Sequence, residues 1–289
     1  MTTVVTGATG QLGHLVVEAL LRRGAEPADI VATGRDLTKV ADLAALGVRT
    51  VASDYTDPES LRAAFAGADR VLLVSGSEVG QRVAQHANVV EAARAAGVDL
   101  LVYTSIPKAD TSEMQLAAEH RTTEQLIRGS GLSWVFLRNS WYLENYLPQL
   151  PTWLEHGAIL GAAQDGRVSA ATRADYADAA AAVLLDPATA GGTVHELGGS
   201  PAFTLAELAA AVTEATGTEV VYRDLSEAEL TEALVGAGLP RPYAAVLADS
   251  DRGIARGELE VTSGDLERLI GRAPTTMTRA VADAVENRA

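Results

Sequence analysis

A doubly wound parallel α/β sheet, with a smaller mixed α/β lobe at its C-terminal end, is the fold class that this 289-residue sequence predicts. Three observations carry the prediction. Short β-rich apolar runs alternate with helix-periodic segments from residue 1 to about residue 138, a glycine-rich turn joins the first run to the first helix, and the alternation loosens after Tyr142.

The apolar runs cover residues 3–6, 30–33, 48–51, 70–74, 100–104 and 133–137, and the helix-periodic segments between them cover 11–23, 37–45, 58–65, 80–96 and 112–128. Local signals mark the breaks. Asp57-Pro58-Glu59 puts a capping residue ahead of a proline suited to the first helical position, and Gly67, Gly97 and Gly131 fall where helices end. Beyond Tyr142, helices are expected at 173–185, 205–216, 227–236 and 277–287, with short strands at 193–197 and 219–222. Residues 1–140 thus form a dinucleotide-binding domain and 141–289 a smaller lobe, with room for late strands to join the first sheet; a substrate cleft is expected between them.

Composition narrows the function. No apolar run approaches the ~20 residues of a membrane-spanning helix, so the chain is read as soluble. The first residues run straight into a strand with no export signal, and the cytoplasm is the expected location. The absence of cysteine removes disulfides, thiolate metal sites and cysteine nucleophiles. A net charge of −15 with no basic stripe argues against nucleic acid. An anionic cofactor must then be held by local donors, which makes single cations informative in a chain whose only lysines are Lys39 and Lys108.

The strongest motif is Thr6-Gly7-Ala8-Thr9-Gly10-Gln11-Leu12-Gly13, set between the first strand and the first helix. Gly7 permits the sharp turn, Gly10 lets backbone approach a pyrophosphate, and Gly13 allows close helix–strand contact. The helix N-terminus adds unpaired N–H donors and a partial positive charge. The Gly-x-x-Gly-x-x-Gly spacing is one residue longer than the common fingerprint, so its weight comes from the strand–turn–helix setting of a Rossmann-type domain. Where an NAD-preferring domain carries an acidic residue, the second strand here ends in Thr33-Gly34-Arg35. A guanidinium suits a ribose 2′-phosphate, so NADPH is expected over NADH; the plainer role for Arg35 is an ion pair with Asp36. Asp54-Tyr55, Ser75-Gly76-Ser77 and Tyr103-Thr104-Ser105 end later strands and face the same crevice, either as ligand contacts or as ordinary loop residues.

These residues, together with Gly76 through Arg82, Ala109-Asp110-Thr111-Ser112, Leu137 through Tyr142, Glu144-Asn145-Tyr146, Ala171 through Tyr176 and Leu247 through Asp251, resemble the NmrA-like atypical short-chain dehydrogenases, above all the type 2 NAD(P)H:quinone oxidoreductases. The likeness runs over nearly the whole chain. It implies that Gly7, Ala8, Thr9, Gly10, Gln11 and Leu12 bind the cofactor phosphates and Arg35 the 2′-phosphate. Ser75, Gly76 and Ser77 would lie along the ribose and nicotinamide, and Asn139, Ser140, Trp141, Tyr142, Leu143 and Glu144 would flank the nicotinamide and the substrate opening. The alternative for Trp141 and Tyr142 is plain interlobe core.

The Tyr-x-x-x-Lys pair of most short-chain dehydrogenases is missing, since neither lysine has a tyrosine four residues earlier. His120 and Glu124 share a helical face in the same neighbourhood. They offer a proton donor and its support, or more simply a surface ion pair or structural hydrogen bond, and no catalytic residue is assigned. An acceptor that needs little acid help fits this deficit. Direct hydride transfer from NADPH to a quinone, without flavin, is therefore the expected reaction. Reduction of cationic triphenylmethane dyes is the rival chemistry, and a non-catalytic NADPH-sensing regulator the rival class. The histidines are scattered and no metal site is expected; a homodimer is the default assembly.

Overall fold

The computed structural model describes residues 1–287. Seven parallel strands form the main sheet: β1 (Thr3–Val5), β2 (Ile30–Gly34), β3 (Arg49–Ala52), β4 (Arg70–Leu73), β5 (Leu100–Ser105), β6 (Trp134–Asn139) and β8 (Thr193–Leu197). Their order is β3-β2-β1-β4-β5-β6-β8. The chain winds outward from β1 to β3, then returns to β4 on the other side of β1. This reversal opens a crevice above the carboxyl ends of β1 and β4.

Alternating strand residues serve opposite faces, and both faces are buried. Val5, Ala32, Leu72 and Val102 point into one core, with α1 (Gln11–Arg22) and α7 (Arg173–Leu185). Val4, Val31, Leu73 and Tyr103 point into the other, beneath α3 (Pro58–Phe65), α4 (Arg82–Ala96) and α5 (Gln115–Gly129). The expected cap forms: the Asp57 carboxylate accepts from the N–H groups of Glu59 and Ser60. Gly97 closes α4 at φ 70°. The short α2 (Ala41–Ala45) follows β2.

The remaining elements are α6 (Leu150–His156), β7 (Ala158–Gly161), α8 (Leu205–Thr216), β9 (Val221–Asp224), α9 (Glu227–Gly236), α10 (Arg241–Ala255), α11 (Asp265–Ile270) and α12 (Met277–Glu286). β7 pairs in parallel with β9, and a third core containing Leu143, Trp153 and Phe203 fills this lobe. The room left for late strands is used: α7 packs on the sheet and β8 extends it beside β6. β7, α6, α10 and α11 have no counterpart in the sequence expectation. α10 buries Ala244, Val246, Ala248, Ser250, Gly253 and Ile254, a face built mostly of small residues with only two large apolar side chains.

Candidate functional site

A cleft of about 650 Å³ runs along the carboxyl ends of the strands and opens between the sheet and the second lobe. That volume falls in the ~300–1,000 Å³ range usual for small-molecule sites. The glycine turn forms its floor. Gly7 adopts φ 61°, and the Ala8 N–H donates to the Thr33 carbonyl at 2.8 Å. Gly13 lets α1 close on the turn: a Cβ there would stand 2.4 Å from the Gly7 carbonyl oxygen. Gly10 caps α1 with no side-chain acceptor, and no acidic residue occupies the first helical turn. The leading N–H groups of α1 therefore face the cleft free for an anion.

Thr9, Gly10, Gln11, Leu12, Arg35, Ser75, Gly76, Ser77, Asn139, Ser140, Trp141 and Tyr142 line the cleft, as does Gly7. Three of the other residues singled out from the sequence stand back from it. Ala8 is fully buried behind the turn, and Leu143 belongs to the core of the second lobe. Glu144 accepts from the Arg173 N–H at 2.9 Å and so caps α7. Sequence reasoning did not assign Lys39, Arg82, Gln85, Asn145 or Arg173, which also line the cleft. Lys39 stands out in the sequence only as a rare cation, and Arg173 only as part of the Ala171–Tyr176 segment that carries the resemblance, with nothing to place it at the cleft.

Arg35 is 69% exposed, and its Nη1 pairs with Glu78 Oε1 at 3.1 Å rather than with Asp36, whose carboxylate caps Thr38. Glu78 is in turn held by Gln85 at 2.9 Å. Because Arg35 follows β2 and Glu78 follows β4, their ion pair spans the end of β1, which lies between them in the sheet. Tyr55 stands beneath the turn, its hydroxyl 2.5 Å from Thr6 Oγ1 and donating to the Val74 carbonyl at 2.8 Å. The loop after β4 is pinned: the Ser75 N–H donates to Thr104 Oγ1 at 2.8 Å and the Gly76 N–H to His86 Nε2 at 3.0 Å.

At the far end, Asn139 through Tyr142 leave β6 and cross between the two lobes. Trp141 packs on the second lobe, while Tyr142 packs on the sheet core, edge-on to Tyr176 and 4.6 Å beneath the Arg173 guanidinium. Core packing and cleft lining thus coexist in both side chains. Ser140 donates to the Leu259 carbonyl at 2.9 Å. The Asn139 Oδ1 is buried with no partner. A buried acceptor of this kind costs ~1–3 kcal/mol.

His120 and Glu124 correct the expected surface pairing. Both are buried, and they do not bond to each other. Glu124 accepts from Ser105 Oγ at 2.7 Å and is gripped by Arg138, through Nε at 2.9 Å and Nη2 at 2.6 Å. His120 lines the cleft, its Nδ1 lying 2.7 Å from the Tyr103 hydroxyl. Burial drives its pKa well below 6.5, helped by Arg82 and His86, so the ring is neutral. His14, Glu18 and Asp42 gather outside the cleft, with His14 Nε2 paired to Asp42 at 3.0 Å. No helix among the described residues is long and apolar enough to cross a membrane.

Comparison with known proteins brings the geometry together. The model of a family described as NAD(P)H-binding matches residues 7–187. The chain is 48% identical over 277 residues to quinone oxidoreductase 2 of Escherichia coli K12, covering 96% of each chain. It superposes on the crystal structure of the NADPH-dependent quinone oxidoreductase from that bacterium, complexed with NADPH, with a TM-score of 0.95 at 47% identity, covering 99% of this chain and all of that one. A Citrobacter triphenylmethane reductase complexed with NADP(H) gives a TM-score of 0.93 at 38% identity, covering 98% of this chain and all of the other.

Proposed function

Since the chain belongs to the NAD(P)H-binding family, we propose that it is an NADPH-dependent oxidoreductase that passes hydride directly to a quinone, without a flavin. Its near full-length likeness to a quinone oxidoreductase solved with NADPH is the observation that carries this reading. The reduced nicotinamide supplies a hydride when it is bound.

The protein's own part is binding and orientation. The free N–H groups at the start of α1, preceded by uncapped Gly10, would hold the pyrophosphate. Arg35 and Lys39, which stand together beyond β2, would take the 2′-phosphate, Arg35 leaving Glu78 to do so. Asn139, Trp141 and Tyr142 line the far end of the cleft and would form the wall against which the ring lies. That wall belongs to the junction of the lobes, so a planar acceptor stacked there lies beside the ring and out of bulk water. Direct transfer accounts for the absence of a Tyr-x-x-x-Lys pair, because a quinone takes a hydride without prior protonation.

Steady-state loss of NADPH absorbance with benzoquinone, run beside a triphenylmethane dye, tests the reading. The expected result is fast NADPH oxidation with the quinone, slower oxidation with NADH, and no flavin in the purified protein. Faster turnover of the dye than of any quinone would favour the chemistry of the Citrobacter relative instead. Tight NADPH binding without oxidation by any acceptor would leave a sensor.

A further inference from the structure

We propose that His120 binds the carbonyl oxygen of the quinone through an Nε2–H aimed into the cleft, and stabilises the negative charge that gathers on that oxygen during reduction. The proposal rests on the oxidoreductase reading above. It assigns a role to a histidine on α5, the helix that follows β5.

The position of each hydrogen can be worked out from the contacts around the ring. The Gly76 N–H donates to His86 Nε2 at 3.0 Å, so the proton of neutral His86 lies on Nδ1 and is given to Thr123 Oγ1 at 3.0 Å. Thr123 spends its own hydrogen on the Glu119 carbonyl at 2.9 Å and has none for Tyr103. The Tyr103 hydroxyl is fully buried against His120 Nδ1 at 2.7 Å. A phenol is the stronger donor of this pair and an imidazole nitrogen the stronger acceptor, so Tyr103 donates and His120 carries its proton on Nε2. Among the described residues Nε2 has no hydrogen-bond partner, and it is not one of the unpartnered polar atoms shut off from solvent; since His120 lines the cleft, Nε2 is the ring nitrogen placed to face it.

Neighbouring groups do not offer the same service. Ser105 and Ser140 also line this wall, but their hydrogens go to Glu124 and to the Leu259 carbonyl. Burial beside Arg82 and His86 keeps His120 neutral, so it donates a hydrogen bond and does not surrender a proton. The chemistry balances on that basis: the quinone takes a hydride from NADPH, giving NADP+ and a hydroquinone monoanion, and a solvent proton completes the hydroquinone. His120 returns unchanged. Aligned donors of this kind act most strongly where charge develops, in a site shielded from water.

Two measurements decide the matter. Long-range proton–nitrogen NMR of protein labelled with 15N-histidine reads the tautomer without any turnover; a neutral Nε2–H ring is expected for His120, and an Nδ1–H ring or an imidazolium at pH 7 would overturn the proposal. In kinetics, His120→Met is expected to lower kcat for benzoquinone about 10–100-fold, with the Kd for NADPH changed by less than about twofold. His120→Gln keeps an N–H at the position of Nε2 and should recover to within about fivefold of the parent. A purely packing role would treat the two variants alike, and equal losses, or a Met variant within about threefold of the parent, would refute the assignment. Should both variants fold poorly, Tyr103→Phe, which removes the donor that fixes the ring, must lose the single Nε2–H signal. Failure of the parent protein to reduce any quinone would instead defeat the reading on which the proposal rests.

Discussion

Replacing Gly13 by alanine perturbs the turn on which cofactor binding depends. A methyl group there would lie 2.4 Å from the Gly7 oxygen, 2.7 Å from the Gly7 carbonyl carbon and 2.9 Å from Ala8 Cα. Ordinary contact begins near ~3.5 Å, so backbone rather than a flexible side chain must withdraw by about 1 Å. Overpacking of this kind costs ~1–3 kcal/mol, and the better helix propensity of alanine offsets ~0.5–1 kcal/mol. The net cost of ~0–2.5 kcal/mol lowers Tm by up to ~10 °C. The displaced N–H groups should also weaken NADPH binding by about 10–100-fold, the value of one charge-assisted hydrogen bond. Thermal denaturation and a fluorescence titration with NADPH measure both effects. Gly129→Ala is the control: it ends α5 where a Cβ meets nothing within 4 Å, and should raise stability slightly at unchanged affinity. A Gly13→Ala protein with the parent's Tm and Kd would refute the described packing of the turn.

Glu78→Gln frees Arg35 from its exposed ion pair and should tighten NADPH about 2–5-fold while barely changing NADH, as titrations with both nucleotides will reveal. Arg138→Met takes away the two-pronged partner of the Glu124 carboxylate, which is 2% exposed, and leaves it Arg128 at 3.2 Å and Ser105; urea denaturation should register a loss of ~1.5–3 kcal/mol, and the Arg138→Met, Glu124→Leu double variant should recover part of it. Burial, followed by the charge of Arg82, lowers the His86 pKa from 6.5 to about 3. Between those values the unfolded chain binds more protons at this residue than the folded one, so its contribution is fully present above pH 6.5 and declines as the pH falls. Unfolding free energies at pH 6 and 4.5 should show a slope ~1.4 kcal/mol per pH unit steeper in the parent than in His86→Gln.

The sheet was legible because each strand between residues 1 and 138 is punctuated by its own turn chemistry, such as Asp57-Pro58 and Gly97. Residues 193–197 were legible as a strand with room to join the sheet, but its place beside β6 was not, since a strand's partner is a long-range choice with no local signature. The glycine turn and the Asn139–Tyr142 crossing could be placed at the cleft because both follow strands directly. What escaped notice depended on tertiary neighbours: Arg35 chooses Glu78 over adjacent Asp36, and Glu124 turns from His120 toward Arg138 across the sheet. Spacing on α5 correctly put His120 and Glu124 on one face, but burial decided what each could do there. Leu143 shows the opposite failing, a residue placed with its cleft-lining neighbours although its side chain points into the lobe core.

Isothermal titration of the folded chain with NADPH, repeated with NADH, probes the cleft most directly. The account requires one NADPH site per chain, with NADH held roughly tenfold or more weakly through the missing phosphate contact. Equal affinities would contradict the assignment of Arg35, and the absence of heat with either nucleotide would contradict the cofactor site itself.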